Sequence, residues 1–165
     1  MIDPIEFSSR SRDAKTERGI AKWLRSQTED ERWEFIQSAL LSKAVKNPNL
    51  PNALILTPKV GLKKEHLFCI LAISLKVADP SSMQAFLKAV LPGLGYKRVV
   101  HYFKSNLIEF PEKVGMALYF LPNLQPEVNI QQRKLINTLR KELVTYVSGL
   151  DICSDYLKLC INRAR

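Results

Sequence analysis

Residues 67–91 read LFCILAISLKVADPSSMQAFLKAVL, and their pattern decides the fold class. Leu67 to Ala78 is apolar apart from Ser74 and Lys76. A dozen such residues fall short of the roughly 20 that a membrane-spanning helix needs. The run instead predicts a helix over about 63–78, apolar nearly all round and therefore buried at the centre of a bundle. Asp79-Pro80-Ser81 ends that helix and opens the next, since an acidic cap and an early proline both suit a helix N-terminus. Met83, Phe86, Leu87, Val90 and Leu91 then recur at i, i+3, i+4, i+7 and i+8, which is one face of a helix.

The same period extends in both directions. Upstream, Trp33, Ile36, Leu40 and Ala44 mark a helix that Thr28 or Glu29-Asp30 begins, with acids favourable at its positive end. Asn47-Pro48 and Leu50-Pro51 are expected to stop it, and 54–58, between Pro51 and Pro58, reads as a linker. Downstream, a break at Pro92-Gly93 precedes Tyr96, Val99, Val100, Phe103 and Leu107. Pro111 opens a short helix to Leu121, and a long one covers about 126–148 with Leu135, Ile136, Leu139, Leu143 and Val147 inside. Ile152, Tyr156, Leu159 and Cys160 predict a last helix after Gly149.

The expectation is an all-α, compact bundle of about eight short helices around a buried central helix. It forms a single unit over 1–165, or subdomains 1–94 and 95–165. Leu91-Pro92-Gly93-Leu94 and Leu121-Pro122-Asn123-Leu124 sit 30 residues apart, but two weak copies do not make a solenoid.

Charge is the most informative bulk quantity. Lys and Arg number 25 against 16 acids, a net +9. Such a surplus self-repels and implies an anionic partner, either nucleic acid or an acidic membrane surface. The N-terminus shows no basic segment followed by an apolar run, so no secretory signal is expected. Cys69, Cys153 and Cys160 cannot all pair, and free thiols in a reducing compartment are the simplest reading.

No glycine-rich phosphate loop, nucleophile elbow or paired-histidine metal helix is present in the sequence. His66 and His101 have no sequence-evident carboxylate or Cys partner. Cys153 and Cys160 share a helical face, but their sulfurs would lie about 10 Å apart at about 1.5 Å rise per residue, too far for one zinc ion. No enzyme activity, cofactor, metal or small-molecule substrate is therefore expected.

The basic residues form stripes. Lys15, Arg18, Lys22 and Arg25 fall at i, i+3, i+7 and i+10. Lys97, His101 and Lys104 share a face, with Arg98 on its flank, and Arg133, Asn137, Arg140 and Lys141 form a third stripe with Lys134 alongside. One stripe is what any solvated helix face shows; three stripes with a net +9 favour a surface for a phosphate-rich partner. Tyr96 and Phe103 fit the core better than a base-stacking platform. Glu29, Asp30 and Glu31 make an acidic patch suited to head-to-tail self-association with a basic face of a second copy.

From Leu54 onward the chain resembles the N-terminal part of orthomyxovirus matrix proteins, over about two thirds of its length. The resemblance runs through Leu56-Thr57-Pro58-Lys59-Val60-Gly61, then Ile73-Ser74-Leu75-Lys76-Val77, then Pro80-Ser81 and a helix with Gln84 and Phe86. It continues in Lys97-Arg98-Val99 with Tyr102 and Lys104, Ile108-Glu109-Phe110 and Met116-Ala117-Leu118-Tyr119-Phe120, and the paired cysteines of the last helix also fit. The likeness is to a genus distant from influenza A, thogotovirus-like or salmon-anaemia-virus-like.

The resemblance implies a structural protein of the virion that polymerises beneath the envelope. It would bind anionic lipid at the inner face of the host plasma membrane and contact viral ribonucleoprotein or RNA, working in the host cytoplasm and in the nucleus. A further C-terminal domain is implied after Arg165. The alternative is a helical, non-sequence-specific nucleic-acid-binding protein.

Two departures limit the comparison. The family's basic cluster falls on Phe103-Lys104-Ser105-Asn106-Leu107, where Lys104 alone is basic, and no histidine follows Cys160. Neither nuclear import, RNA binding nor zinc carries over through those residues. Thermal melting with and without a chelator should superimpose; a large drop on chelation would reveal a metal site.

Overall fold

The structure, a computed structural model, describes residues 14–41, 49–124 and 128–149. All regular structure among them is helical. In chain order the elements are α1 (Ala14–Ser26), α2 (Glu29–Leu40), α3 (Leu50–Val60), α4 (Lys64–Val77), α5 (Pro80–Ser105), α6 (Pro111–Phe120), a 3-10 turn (Leu121–Asn123) and α7 (Ile130–Ser148). The expected last helix, with Cys153 and Cys160, lies outside the described residues. The chain divides into two units, 1–69 and 70–165, with the division inside α4 rather than at 94/95.

In the first unit, α1, α2 and α3 pack on one another. Each has an apolar stripe: Ile20, Ala21 and Leu24 on α1, Phe35, Ile36, Ala39 and Leu40 on α2, and Ala53, Leu54, Leu56 and Val60 on α3, all buried. Trp23 meets Phe35 edge to face with centroids 5.9 Å apart. Thr28 opens α2 through a capping box: it receives the Glu31 N–H, and the Glu31 carboxylate accepts the Thr28 N–H at 2.8 Å.

The segment expected to be a linker is helical. Pro51 lies in the first turn of α3, where a backbone N–H has no intrahelical partner to lose, and Pro58 lies in the last turn. The two prolines, expected to leave no room for a strand, thus lie within a helix: Pro51 costs it nothing, while Pro58 leaves the Leu54 carbonyl without an intrahelical N–H. Gly61 ends it at φ 70°, a left-handed conformation that glycine adopts without a Cβ clash. The Arg32 guanidinium donates to the Val60 carbonyl at 2.7 Å, giving an orphan acceptor of the helix end a charged partner.

α4 buries one face rather than its whole circumference. Leu67, Ile70, Leu71, Ser74, Leu75 and Ala78 are buried, at i, i+3, i+4, i+7, i+8 and i+11. Ile73 is half-buried, whereas Cys69, Lys76 and Val77 are exposed. The apolar run made the helix look central because Val77 and Cys69 are hydrophobic in type but not in position.

In the second unit, α5, α6 and α7 pack together with the 3-10 turn. Asp79 caps α5 as expected, accepting the Ser82 N–H at 2.7 Å while Ser82 Oγ accepts the Asp79 N–H. α5 does not break at Pro92-Gly93. It continues through Pro92 and turns at Gly95, whose φ of 74° and ψ of 158° are open to glycine and strained for other residues. The limb 80–94 buries Met83, Phe86, Leu87, Val90 and Leu94; the limb 96–105 buries Tyr96, Val99, Val100 and Phe103. The buried Tyr96 hydroxyl donates to the Leu121 carbonyl at 3.0 Å, so this deep phenol keeps a partner. The Lys113 ammonium donates to the Ala78 carbonyl. Asn129 and Gln132 form the capping box of α7, whose buried stripe is Ile136, Leu139, Leu143 and Val147.

Leu71 is fully buried and Val77 is 53% exposed on the same helix. Leu71→Ala should cost about 2–5 kcal/mol in denaturant unfolding through lost burial and a cavity. Val77→Ala should stay within about 0.5 kcal/mol. Equal effects would contradict the one-sided burial of α4.

Candidate anion-binding surface

Burial of one stripe on α1, α5 and α7 sends their basic residues outward. On α1, Lys15, Arg18, Lys22 and Arg25 are all exposed, away from Ile20, Ala21 and Leu24. Glu17, the helix's single acid, pairs with Lys59 of α3. Lys22 and Arg25 make no ion pair among the described residues. The stripe is a row of exposed cations with no large apolar side chain exposed beside them.

On α5, Lys97, Arg98 and Lys104 are exposed, but their charges are not equally open. Lys104 pairs with Glu142 of α7 at 2.6 Å. Arg98 donates to its own helix at the Leu94 carbonyl, 3.3 Å away, and His101 Nδ1 lies 2.8 Å from the Lys97 carbonyl oxygen. This stripe therefore offers less unengaged charge than the sequence suggests.

The α7 stripe differs in kind. Arg133, Lys134, Asn137 and Lys141 are exposed, and Arg140 is half-buried on the border of the same face. The Arg140 guanidinium donates to Asn137 Oδ1 at 3.0 Å, while its buried Nε has no hydrogen-bond partner. Burial lowers its pKa from the ordinary guanidinium value, yet no described carboxylate compensates it. Arg133 is steadied by its Nε donating to the Val128 carbonyl at 3.1 Å. Glu142, the only acid of the helix, is turned to Lys104 on another side. The face also carries Ile130, 85% exposed, and Val144, 36% exposed. Sequence reasoning passed over both, although their phase gave them away: neither keeps step with Ile136, Leu139, Leu143 and Val147.

The acidic residues expected to drive self-association are mostly engaged within their own unit. Glu31 is held by the Thr28 capping box, which lowers its pKa. Glu29 accepts the Lys63 backbone N–H at 3.0 Å and pairs with the Lys63 ammonium. His66 Nδ1 stands 3.1 Å from Glu29 Oε1, an ion-pair distance off the line of a hydrogen bond, and its ring stacks on Trp33 with centroids 4.7 Å apart. Partial burial raises the Glu29 pKa, but the Lys63 hydrogen bonds and the Lys63 and His66 charges outweigh it, leaving the carboxylate below its ordinary range. Asp30 and Glu31 are both exposed without an ion pair among the described residues, and of the two only Glu31 is held by side-chain hydrogen bonds. His66 thus has the carboxylate neighbour that the sequence did not reveal; the two lie on different elements, 37 residues apart.

Among the described residues no three His, Cys, Asp or Glu side chains are grouped to hold a metal ion. No described helix is long and apolar enough to cross a membrane. The chain matches no known protein family, no characterised protein and no solved structure.

Three carboxylates, Glu29, Glu31 and Asp79, sit below their ordinary pKa, Glu31 through the Thr28 hydrogen bonds and Asp79 chiefly through hydrogen bonds from Ser81 and Ser82. A depressed native pKa stabilises the fold above the unfolded value and loses that contribution as pH falls through the native one. The melting temperature should therefore drop once pH passes below the ordinary Glu value of 4.5. Glu29→Gln should make the acid limb shallower. An unchanged limb in the variant would mean that the Glu29 contacts contribute nothing in solution.

Proposed function

We propose that the chain is a viral matrix structural protein that binds anionic membrane through its outward basic faces, self-assembles beneath the envelope and links to viral ribonucleoprotein. The observation that carries the reading is the placement of Lys22, Arg25, Lys134 and Lys141: exposed, on helices whose acids are paired elsewhere. A cationic surface without internal counter-ions attracts an extended anion, and each basic residue near an anionic bilayer contributes about 1 kcal/mol. The residue-level resemblance to orthomyxovirus matrix proteins supplies the biological setting, beneath the virion envelope and at the inner face of the host membrane.

Nucleic-acid binding is the weaker reading of the same charge. Of the aromatics near the basic residues of α5, Tyr96 and Phe103 are buried and present no face for base stacking, and Tyr102 is half-buried. Contact with ribonucleoprotein then rests on charge alone. Self-assembly uses Asp30 as its available acid against a basic face of another copy, with apolar contacts beside it.

Liposome flotation tests the reading. The protein should float with vesicles of phosphatidylcholine and phosphatidylserine and not with phosphatidylcholine alone. Binding should collapse as salt rises from about 0.1 M to about 1 M, where the Debye length shortens from about 10 Å to about 3 Å. Equal binding to neutral vesicles, or indifference to salt, would overturn it.

A further inference from the structure

Three basic faces are exposed, and they are not equivalent. A helix docked on a folded unit has only its outward side available, so any apolar anchor for a bilayer must share that side with the cations. α1 has four cations and no exposed large apolar residue. The 96–105 limb of α5 has Lys104 engaged by Glu142 and likewise no exposed large apolar residue. α7 alone among these helices combines both. Ile130, Arg133, Lys134, Asn137, Lys141 and Val144 recur at i, i+3, i+4, i+7, i+11 and i+14, one continuous outward strip with no acid in it.

We infer that this outward face of α7 is the membrane seat: Ile130 and Val144 enter the interfacial layer of an anionic bilayer while the cations between them hold lipid phosphates. The inference rests on the proposed membrane reading and names the surface that performs it.

The geometry fits a flat anionic surface. Ile130 and Val144 are fourteen residues apart, about 21 Å along the helix at about 1.5 Å per residue, so they bracket the cations at the two ends of the strip. Lys134 and Lys141 have long aliphatic stems that lie along an interface with their ammonium groups at phosphate level. Arg140, half-buried and held by Asn137 with no carboxylate near, adds a preoriented cation at the edge of the strip. Ile130 is the most exposed large apolar residue described, in the first turn of the helix, where neighbouring backbone N–H groups also favour anions. An acidic protein partner would find the cations but would leave Ile130 and Val144 without a role unless it brought its own apolar patch; a bilayer supplies both layers at once.

Flotation of the full chain with mixed phosphatidylcholine–phosphatidylserine vesicles, beside a shift assay with single-stranded RNA at the same salt, tests this. Replacing Arg133, Lys134 and Lys141 together by Gln should weaken vesicle partitioning roughly 100-fold, since each charge is worth about fivefold near such a surface. Ile130→Ser should weaken it about tenfold and leave the salt dependence unchanged, because the lost contribution is apolar. Ile130, Lys134 and Lys141 are exposed, so Ile130→Ser and the paired Lys134→Gln, Lys141→Gln variant should melt as the parent does. Adding Arg133→Gln gives up its bond to the Val128 carbonyl and should lower the melting temperature by only a few degrees. The comparison variant, with Arg18, Lys22 and Arg25 changed to Gln, should lose far less.

If the parent does not float with anionic vesicles, the membrane reading itself fails. If the parent floats and the α7 variants float equally well, or the α1 variant alone is impaired, the reading stands and this assignment is overturned. Loss of RNA binding without loss of flotation in the α7 variants would likewise overturn it and make the strip a nucleic-acid contact.

Discussion

Burial of Ile136, Leu139, Leu143 and Val147 along one side of α7 determines what the other side is free to be. The core asks only that one residue in three or four be apolar, and the period of 3.6 fixes where those residues point. Everything out of phase with that stripe faces away from the packing and owes nothing to the core. α1 and α2 repeat the arrangement in the first unit and α5 in the second, whereas α6 is buried all round over 114–118. A net charge of +9 is compatible with such a fold because one-sided burial keeps most cations in water, where their mutual repulsion is screened.

Helix ends are where the two units acquire definition. Thr28, Asp79 and Asn129 each close a capping box, and Arg32 closes the far end of α3. These contacts also decide which charges remain for a partner. Glu29 and Glu31 serve local structure, Glu17 and Glu142 neutralise Lys59 and Lys104, and Lys22, Arg25, Lys134 and Lys141 make no ion pair among the described residues. The difference in open charge between the basic faces follows from where the acids are placed.

Much of this was legible in residue order. The apolar period located α2, α4, both limbs of α5 and α7. The basic stripe marked α1, Pro111 marked the start of α6, and Asp79-Pro80-Ser81 announced its own cap. α3 was hidden because its prolines were taken as breakers, whereas Pro51 lies in the first turn, where no N–H is needed, and the helix continues past Pro58 to Val60 at the loss of one hydrogen bond. The turn in α5 falls at Gly95 rather than at Pro92-Gly93, since a positive φ, and not a missing N–H, is what redirects the chain there. The stripes of α1 and α7 were readable from spacing. The pairing of Lys104 with Glu142, and of Glu29 with Lys63 and His66, joins residues from separate elements and leaves no local trace. Ile130 and Val144 did leave one, in their phase.

The central claim is that the outward face of α7 meets an anionic surface while its buried face is undisturbed. Backbone amide and methyl NMR spectra of the full chain, titrated with phosphatidylserine-containing nanodiscs, measure it directly. The account predicts that signals of Ile130, Lys134, Asn137, Lys141 and Val144 shift or broaden first, with Leu139 and Leu143 retaining their native positions. Perturbation spread through the buried stripe, or confined to helices other than α7, would contradict it.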